Sequence, residues 1–248
     1  MSEVGNSQMK CWICDVNDAD SREHKVLKAR LDFVNHNKKG IKVYSPNLHP
    51  TVAHGTKSNS LKFDKTLCHH CNGAQSQTWD KAYLDFVKLG IYNPNFWRHQ
   101  TDGDWNEIPI KNPPSLAKYY CKNIGCRLIE KGFTPPIQFR DYLLSKSDEP
   151  PFSLYFVADY EWLDKKEMSM DNRYDFPSVK FNYVRTLSDE GYPDIFGGLY
   201  HEGPYGVFFI FDTNKDNECF TETSVFHIYQ RRDFSDFYLA FWKHLEAR

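Results

Sequence analysis

The chain has 248 residues, of which 40% are hydrophobic and 16% aromatic, a composition that predicts a folded protein and excludes a disordered one. It contains no run of about 18 apolar residues, so no membrane-spanning helix and no membrane partner are expected. The net charge is −2, but residues 22–65 contain 10 basic and 3 acidic side chains. Such a segment suits a phosphate-rich partner, although an ordinary solvated surface can have the same composition.

The first residues lack the basic and apolar segments of a secretory signal peptide. The sequence therefore predicts a cytoplasmic protein. In that compartment cysteine pairs are more often metal ligands than disulfides.

Two cysteine pairs lie in the first third of the chain. Their Cys-x-x-Cys spacing lets two tight turns bind one tetrahedral zinc ion. We expect one structural zinc ion on Cys11, Cys14, Cys68 and Cys71. The other three cysteines are expected to be buried or inert thiols: Cys121, Cys126 and Cys219.

The segment between the pairs predicts a strand or turn leading into a helix over residues 23–33, then a long polar surface loop over residues 35–60. Residues 61–67 alternate imperfectly and predict the strand that enters the second pair. A helix then runs from residue 75 to a stop at Gly90. Its apolar face is expected to contain Trp79, Tyr83, Phe86 and Val87.

Beyond a polar boundary within residues 93–114, the pattern predicts a helix over residues 115–131, with Ser115 as its cap and Gly132 as its stop. A second helical segment covers residues 137–145. Strands are expected from residue 152 on, at 153–157, 179–184, 205–211 and 224–229, with a turn at 212–217 and a closing helix at 234–245. The expected domains are 1–100 with the cysteine pairs, a helical connecting region at 101–150, and a β-rich domain at 151–248.

Three polar residues near the cysteines have the chemistry of phosphodiester hydrolysis. Glu23 and His24 are adjacent, and Asn72 directly follows the last cysteine. A neutral imidazole can accept a proton from water near pH 7, so His24 suits a general base. Glu23 and Asn72 supply the hard oxygen atoms that Mg²⁺ prefers. Because neighbouring side chains on a strand point to opposite faces, Glu23 and His24 can share a site only across a bend or bulge.

This combination resembles the HNH (His-Me finger) nucleases, in particular the phage junction-resolving type, and a group of uncharacterised bacterial HNH-like proteins. Members of the junction-resolving type pair two CxxC knuckles with an acid–His dipeptide and an Asn after the final Cys. The resemblance covers residues 8–90. It implies a zinc-stabilised ββα-metal, treble-clef-like finger. In such a finger His24 is the base, Glu23 and Asn72 hold a catalytic Mg²⁺ or Mn²⁺ ion, and the four cysteines hold structural zinc.

Two features depart from that pattern. The commoner acid is Asp, where this chain has Glu23, whose longer side chain still offers a ligand oxygen. The middle Asn, which orients the loop of the base, has no counterpart at the usual position. Asn59, nine residues before Cys68, is the best candidate, and Asn47 is the alternative.

The sequence as a whole predicts an α+β protein in which the zinc finger is followed by helices and a β-rich C-terminal domain. The expected function is metal-dependent endonuclease action on DNA. The alternatives are a non-catalytic zinc module that binds nucleic acid or protein, and an RNA-directed nuclease. Residues 151–248 are open to substrate selection, a protein partner or a homo-oligomer.

Overall fold

The computed structural model describes residues 9–34, 40–43, 51–92, 110–158, 178–185, 193–202, 205–213, 226–228, 239 and 242–243. These residues contain both helices and strands, as expected of an α+β protein. Several predicted features lie outside them: Asn47, Cys219, most of the turn at 212–217 and most of the helix at 234–245.

The amino-terminal part contains two short antiparallel sheets. Its elements are β1 (Ser21–His24), α1 (Lys28–Val34), β2 (Ile41–Val43), β3 (Thr51–Ala53) and β4 (Lys62–Leu67). Strand β1 pairs with β4, and β2 pairs with β3. The predicted strands on either side of the long segment are therefore confirmed.

The prediction of one long surface loop over residues 35–60 is wrong where the structure describes this segment. Strands β2 and β3 form a hairpin in this segment, and a short 3-10 turn spans Asn59–Leu61. Ile41 and Ala53 are buried in a small apolar cluster with Leu31. Three-residue strands carry too little alternation to be recognised in a polar sequence, and tertiary packing decides their conformation.

Two helices follow β4, namely α2 (His69–Asn72) and α3 (Gln77–Tyr92). The predicted apolar face of α3 is confirmed, because all four of its residues are buried. The predicted stop at Gly90 is wrong, since the helix continues for two residues. A glycine costs about 1 kcal/mol in a helix relative to alanine, which packing can outweigh.

Helix α4 (Pro113–Glu130) is buried on most of its circumference, and helix α5 (Ile137–Leu143) follows it. Asn112, rather than the predicted Ser115, caps α4, because its side chain accepts a hydrogen bond from the Ser115 amide at 3.2 Å. Gly132 follows the helix with a φ of 85°, as expected for a helix stop. At Gly125 the helix meets Trp12 so closely that a Cβ atom would lie 2.3 Å from the indole ring.

A five-stranded sheet forms the carboxyl-terminal part. Its strands are β5 (Ser153–Ala158), β6 (Ser178–Arg185), β7 (Ile195–His201), β8 (Tyr205–Asp212) and β9 (Phe226–Ile228), in the order β6-β7-β8-β5-β9. Only the β5–β9 pair is parallel among these described strands. Strand β7 was not predicted, because it contains two adjacent glycines, which are depleted in strands, and is buried without alternation.

One hydrophobic cluster contains residues from all three predicted domains, among them Trp12, Tyr83, Phe139 and Phe209. The stacked rings of Tyr83 and Tyr119, with centroids 3.8 Å apart, join α3 to α4. The division into domains stays a prediction. Within the described residues, no helix combines the length and apolarity needed to cross a membrane.

Candidate metal centre and active site

The four paired cysteines come together from the turn that precedes β1 and from the start of α2. The Sγ atoms of Cys11, Cys14, Cys68 and Cys71 all lie within 4.8 Å of one another. The Cys14 and Cys68 sulfurs are 3.9 Å apart. Tetrahedral coordination with zinc–sulfur bonds of about 2.3 Å places ligand sulfurs about 3.8 Å apart. The group can therefore hold a metal ion such as zinc.

Hydrogen-bond donors surround these sulfurs, as expected for thiolate ligands. The Cys71 amide lies 3.5 Å from the Cys68 sulfur, and the Asn17 side-chain amide lies 3.6 Å from it. The contact between the Cys11 and Cys71 thiols lowers the pKa of Cys11 and raises the pKa of Cys71. By contrast, Cys121 and Cys126 are buried within α4, and burial raises the pKa of both thiols.

His24 lies at the end of β1, with its ring half-buried against the loop before β4. Its Nε2 atom is 3.2 Å from the carbonyl oxygen of Thr56. A carbonyl oxygen can only accept a hydrogen bond, so Nε2 carries the hydrogen and the neutral ring has its lone pair on Nδ1. Nδ1 is therefore the atom that can accept a proton from water.

Electrostatics keep this imidazole neutral. Burial lowers the pKa of His24, and the ammonium groups of Lys62 and Lys28 lower it further. Lys62 is the partner of His24 in the β1–β4 register. The hydrogen bond to Thr56 and the charge of Asp32 oppose the shift without reversing it. A lowered pKa leaves the ring unprotonated over a wider pH range, which suits a base.

The loop residue that contacts His24 is itself held in place. The Thr56 hydroxyl donates to Asp32 Oδ1 at 2.5 Å, and the other Asp32 oxygen pairs with Lys28 on the same helix. Asn59, the predicted orienting residue, is exposed at the start of the 3-10 turn, and no hydrogen bond joins its side chain to His24 among the described residues. The catalytic role of Asn59 stays a prediction, while Thr56 makes the contact.

Asn72 ends α2 and lies beside the start of β1. Its Nδ2 atom donates to the Ser21 hydroxyl at 2.8 Å, and its main-chain amide donates to the Cys68 carbonyl at 3.0 Å. Its Oδ1 atom is buried and has no hydrogen-bond partner among the described residues. A buried amide oxygen without a partner is energetically costly, and it fits a metal ligand.

Glu23 points in another direction, into the protein. Strand β1 has register irregularities on both sides of Arg22, so the predicted bulge is present. The Glu23 carboxylate is buried 3.2 Å from the Lys122 ammonium, which also binds Asp80 Oδ1 at 2.9 Å and the Ser76 hydroxyl at 3.2 Å. A cation held by Glu23 would share the carboxylate with this ammonium.

The two carboxylates keep Lys122 charged. Burial alone lowers the pKa of Lys122, but the charges of Glu23 and Asp80 and the hydrogen bonds to them outweigh it and raise the pKa. Burial raises the pKa of Glu23, Lys122 opposes that rise, and Asp80 adds to it. Asp80 thus has a buried partner in Lys122.

Four residues that contact Glu23, His24 or Lys25 were not predicted from the sequence: Thr56, Lys122, Asn123 and Arg127. The signal for two of them lies in α4, where Lys122 and Asn123 interrupt a run of apolar residues. A polar pair within an apolar stretch of a helix indicates buried hydrogen bonds.

Comparison with protein-family models, with curated proteins and with solved structures found no match for this chain. The functional argument therefore depends on the contacts of these residues.

Proposed function

We propose that this chain is a metal-dependent endonuclease of the HNH type that hydrolyses phosphodiester bonds in DNA. His24 is the general base, accepting the proton of the attacking water at Nδ1. The four cysteines hold a structural zinc ion that fixes the turn before Asn72. Strands β1 and β4 and helices α2 and α3 then form the ββα-metal finger.

One observation carries the proposal: residues from the two halves of the motif, 51 positions apart, are in contact. The Asn72 side chain donates to Ser21 on the strand that ends at His24. At the other end of that strand, the Thr56 carbonyl leaves Nδ1 of His24 as the basic nitrogen. A structural zinc module has no need for a neutral imidazole with a fixed tautomer.

A catalytic divalent ion, when bound, would stabilise negative charge on the phosphate and the leaving oxygen. Asn72 fits it through its buried, unpartnered Oδ1 atom. Glu23 is the second predicted ligand, and its pairing with Lys122 makes its contribution the weaker one. We therefore expect Asn72 to contribute more to metal affinity than Glu23.

The charge around His24 favours a polyanionic substrate. In the β1–β4 pair, Lys62 lies opposite His24. Lys65 lies opposite Arg22, two residues before His24 on β1. Lys62, Lys65 and Lys57 have no ion-pair partner among the described residues. Unpaired ammonium groups next to a base are positioned to neutralise phosphates.

The experiment that tests the proposal is nicking of supercoiled plasmid with Mg²⁺ or Mn²⁺, comparing wild type with His24→Ala. Loss of a general base costs about 10²- to 10⁴-fold in rate. We expect wild-type cleavage that requires the divalent ion, and at least a 100-fold loss in the variant with zinc content unchanged. Equal rates for the two proteins would end the assignment of His24.

A second candidate function is a non-catalytic zinc module that binds nucleic acid or protein. The buried Glu23–Lys122 pair favours it, because both side chains stabilise the fold without a catalytic ion. This candidate predicts binding without divalent-dependent cleavage in the wild type. The RNA-directed alternative is tested by incubating the protein with single-stranded and duplex RNA in parallel with the plasmid.

A further inference from the structure

Two side chains of α4 bind the main chain at the end of β1. Nδ2 of Asn123 lies 3.3 Å from the carbonyl oxygen of His24 and 3.4 Å from that of Lys25. A terminal nitrogen of Arg127 donates to the Lys25 carbonyl at 2.8 Å. These partners are about 100 positions apart in the sequence, and Asn123 is fully buried.

The orientation of the Asn123 amide is determined by its neighbours. Its Oδ1 atom receives hydrogen bonds from Arg127 Nε at 3.1 Å and from the Tyr200 hydroxyl at 3.0 Å. A guanidinium group can only donate, so this atom is the oxygen, and the nitrogen must face the two carbonyls. The hydrogen-bonding capacity of the amide is thereby used completely.

Arg127 is in turn held between two aromatic rings. Its guanidinium carbon lies 5.2 Å from the ring centre of Phe63 on β4 and 5.7 Å from that of Tyr200 on β7. Such cation–π contacts restrict the motion of a guanidinium group whose nitrogen atoms already donate hydrogen bonds. The network thus links the β1–β4 pair to the carboxyl-terminal sheet.

The position of this network is significant because, in the part of the chain that the structure describes, β1 pairs with β4 alone. On the β4 side the Lys25 amide donates to the Leu61 carbonyl at 2.9 Å. The carbonyls of His24 and Lys25 receive hydrogen bonds from Asn123 and Arg127 of α4. The backbone that carries the His24 ring is therefore held by both β4 and α4.

We propose that Asn123 and Arg127 are positioning residues for the base of the proposed nuclease site. They fix the peptide that carries His24, which is the task expected of Asn59 from the sequence. The inference depends on the proposed function. It extends the site to a helix outside residues 8–90 and gives the carboxyl-terminal sheet a role, through Tyr200, in supporting it.

The expected effect is on the rate of the chemical step. A displacement of about 1 Å in a catalytic group can cost about 100-fold in rate. Asn123→Asp keeps the shape of the side chain and its acceptors but removes both donors, and its carboxylate faces two carbonyl oxygens. We expect it to lower kcat about 10- to 100-fold while KM and DNA affinity stay within about twofold.

Arg127 provides two further variants. Arg127→Ala removes both of its hydrogen bonds, whereas Arg127→Lys can restore one of them. We expect the alanine variant to lose kcat and the lysine variant to recover part of it. If the guanidinium group only stabilised the fold, two variants of equal thermal stability would have equal kcat.

Tyr142→Phe is the matched control. The Tyr142 hydroxyl donates to a main-chain carbonyl, that of Pro114, at 3.2 Å, so its removal also costs one buried hydrogen bond to the backbone. The contact does not involve β1. We expect a modest loss of stability with unchanged kcat.

Hydrogen exchange of the peptide covering residues 22–26 gives a readout that is independent of activity. We expect faster exchange there in Asn123→Asp and no change in Tyr142→Phe. Wild-type rates or unchanged exchange in Asn123→Asp would overturn the positioning role while leaving the nuclease proposal intact. A wild-type protein that cleaves nothing would overturn both proposals.

Discussion

The carboxylate of Glu23 lies 3.2 Å from the ammonium group of Lys122, and both side chains are buried. Lys122 bonds Asp80 and Ser76 as well, so one cation serves two carboxylates. The residue that the sequence assigns to a catalytic metal ion is therefore also part of the interior, where it joins β1 to α4.

Removing Lys122 alone should destabilise the protein strongly. Breaking a buried ion pair by deleting one partner costs about 3–5 kcal/mol, because the remaining charge is uncompensated. We expect this loss in the urea unfolding free energy of Lys122→Met. Combining it with Glu23→Gln should restore part of the stability, because Asp80 is partly exposed and can be solvated. A double variant no more stable than Lys122→Met would contradict the pairing.

The cysteine cluster should contain one zinc ion per chain. Structural zinc contributes about 10 kcal/mol or more of folding free energy in small fingers, so chelation should unfold the amino-terminal part. Elemental analysis measures the zinc, and circular dichroism follows its removal. Cys68→Ser should lose the metal, whereas Cys121→Ser, which changes a buried thiol in α4, should retain it. Folded, metal-free wild-type protein would refute the site.

Asn72 should control the divalent-ion dependence of cleavage. Asn72→Ala removes the buried Oδ1 atom and no zinc ligand, so we expect a higher half-saturating Mn²⁺ concentration with unchanged zinc content. His70→Gln, on the same short helix and exposed, is the control. An unchanged Mn²⁺ titration in Asn72→Ala would exclude it as a ligand.

Cleavage should persist at lower pH than an ordinary histidine base allows. Only the neutral imidazole accepts a proton, and burial lowers the pKa of His24 below its usual value of about 6.5. The rate should therefore rise with pH and reach half of its plateau below that value. Lys62→Gln removes a neighbouring positive charge, which raises the pKa of His24, so the rise should move to higher pH. A shift in the opposite direction in single-turnover pH profiles would contradict this assignment.

Binding should depend on salt through the unpaired lysines. Each phosphate contact contributes about 0.9 to the slope of log affinity against log salt concentration on duplex DNA. Lys57→Glu combined with Lys65→Glu should weaken binding and reduce the slope. Lys146 follows α5 and is already paired with Asp141. Lys146→Glu should therefore leave the affinity and the slope nearly unchanged. Equal slopes in all three proteins, measured by fluorescence anisotropy, would argue against this surface.

Local spacing determined the cysteine cluster and several elements around it. A Cys-x-x-Cys segment brings its two sulfurs close together within one turn of chain, so two such segments predict four gathered sulfurs. The apolar face of α3 could likewise be predicted, because its helical spacing matches its burial. Strand β4 was predicted from imperfect alternation, and its burial is also irregular. Strand β7 and the hairpin of β2 and β3 were not predicted, since their sequences lack a clear alternation.

The tertiary structure alone decided which residues surround His24 and Glu23. Asn123, Arg127 and Lys122 reach β1 across about 100 positions of sequence, and Thr56 reaches His24 across 32. Periodicity indicates that a side chain is buried, but it contains no information about the partner it meets. A buried polar group must find a hydrogen bond or an opposite charge, and only the packing of α4 against β1 selects which one.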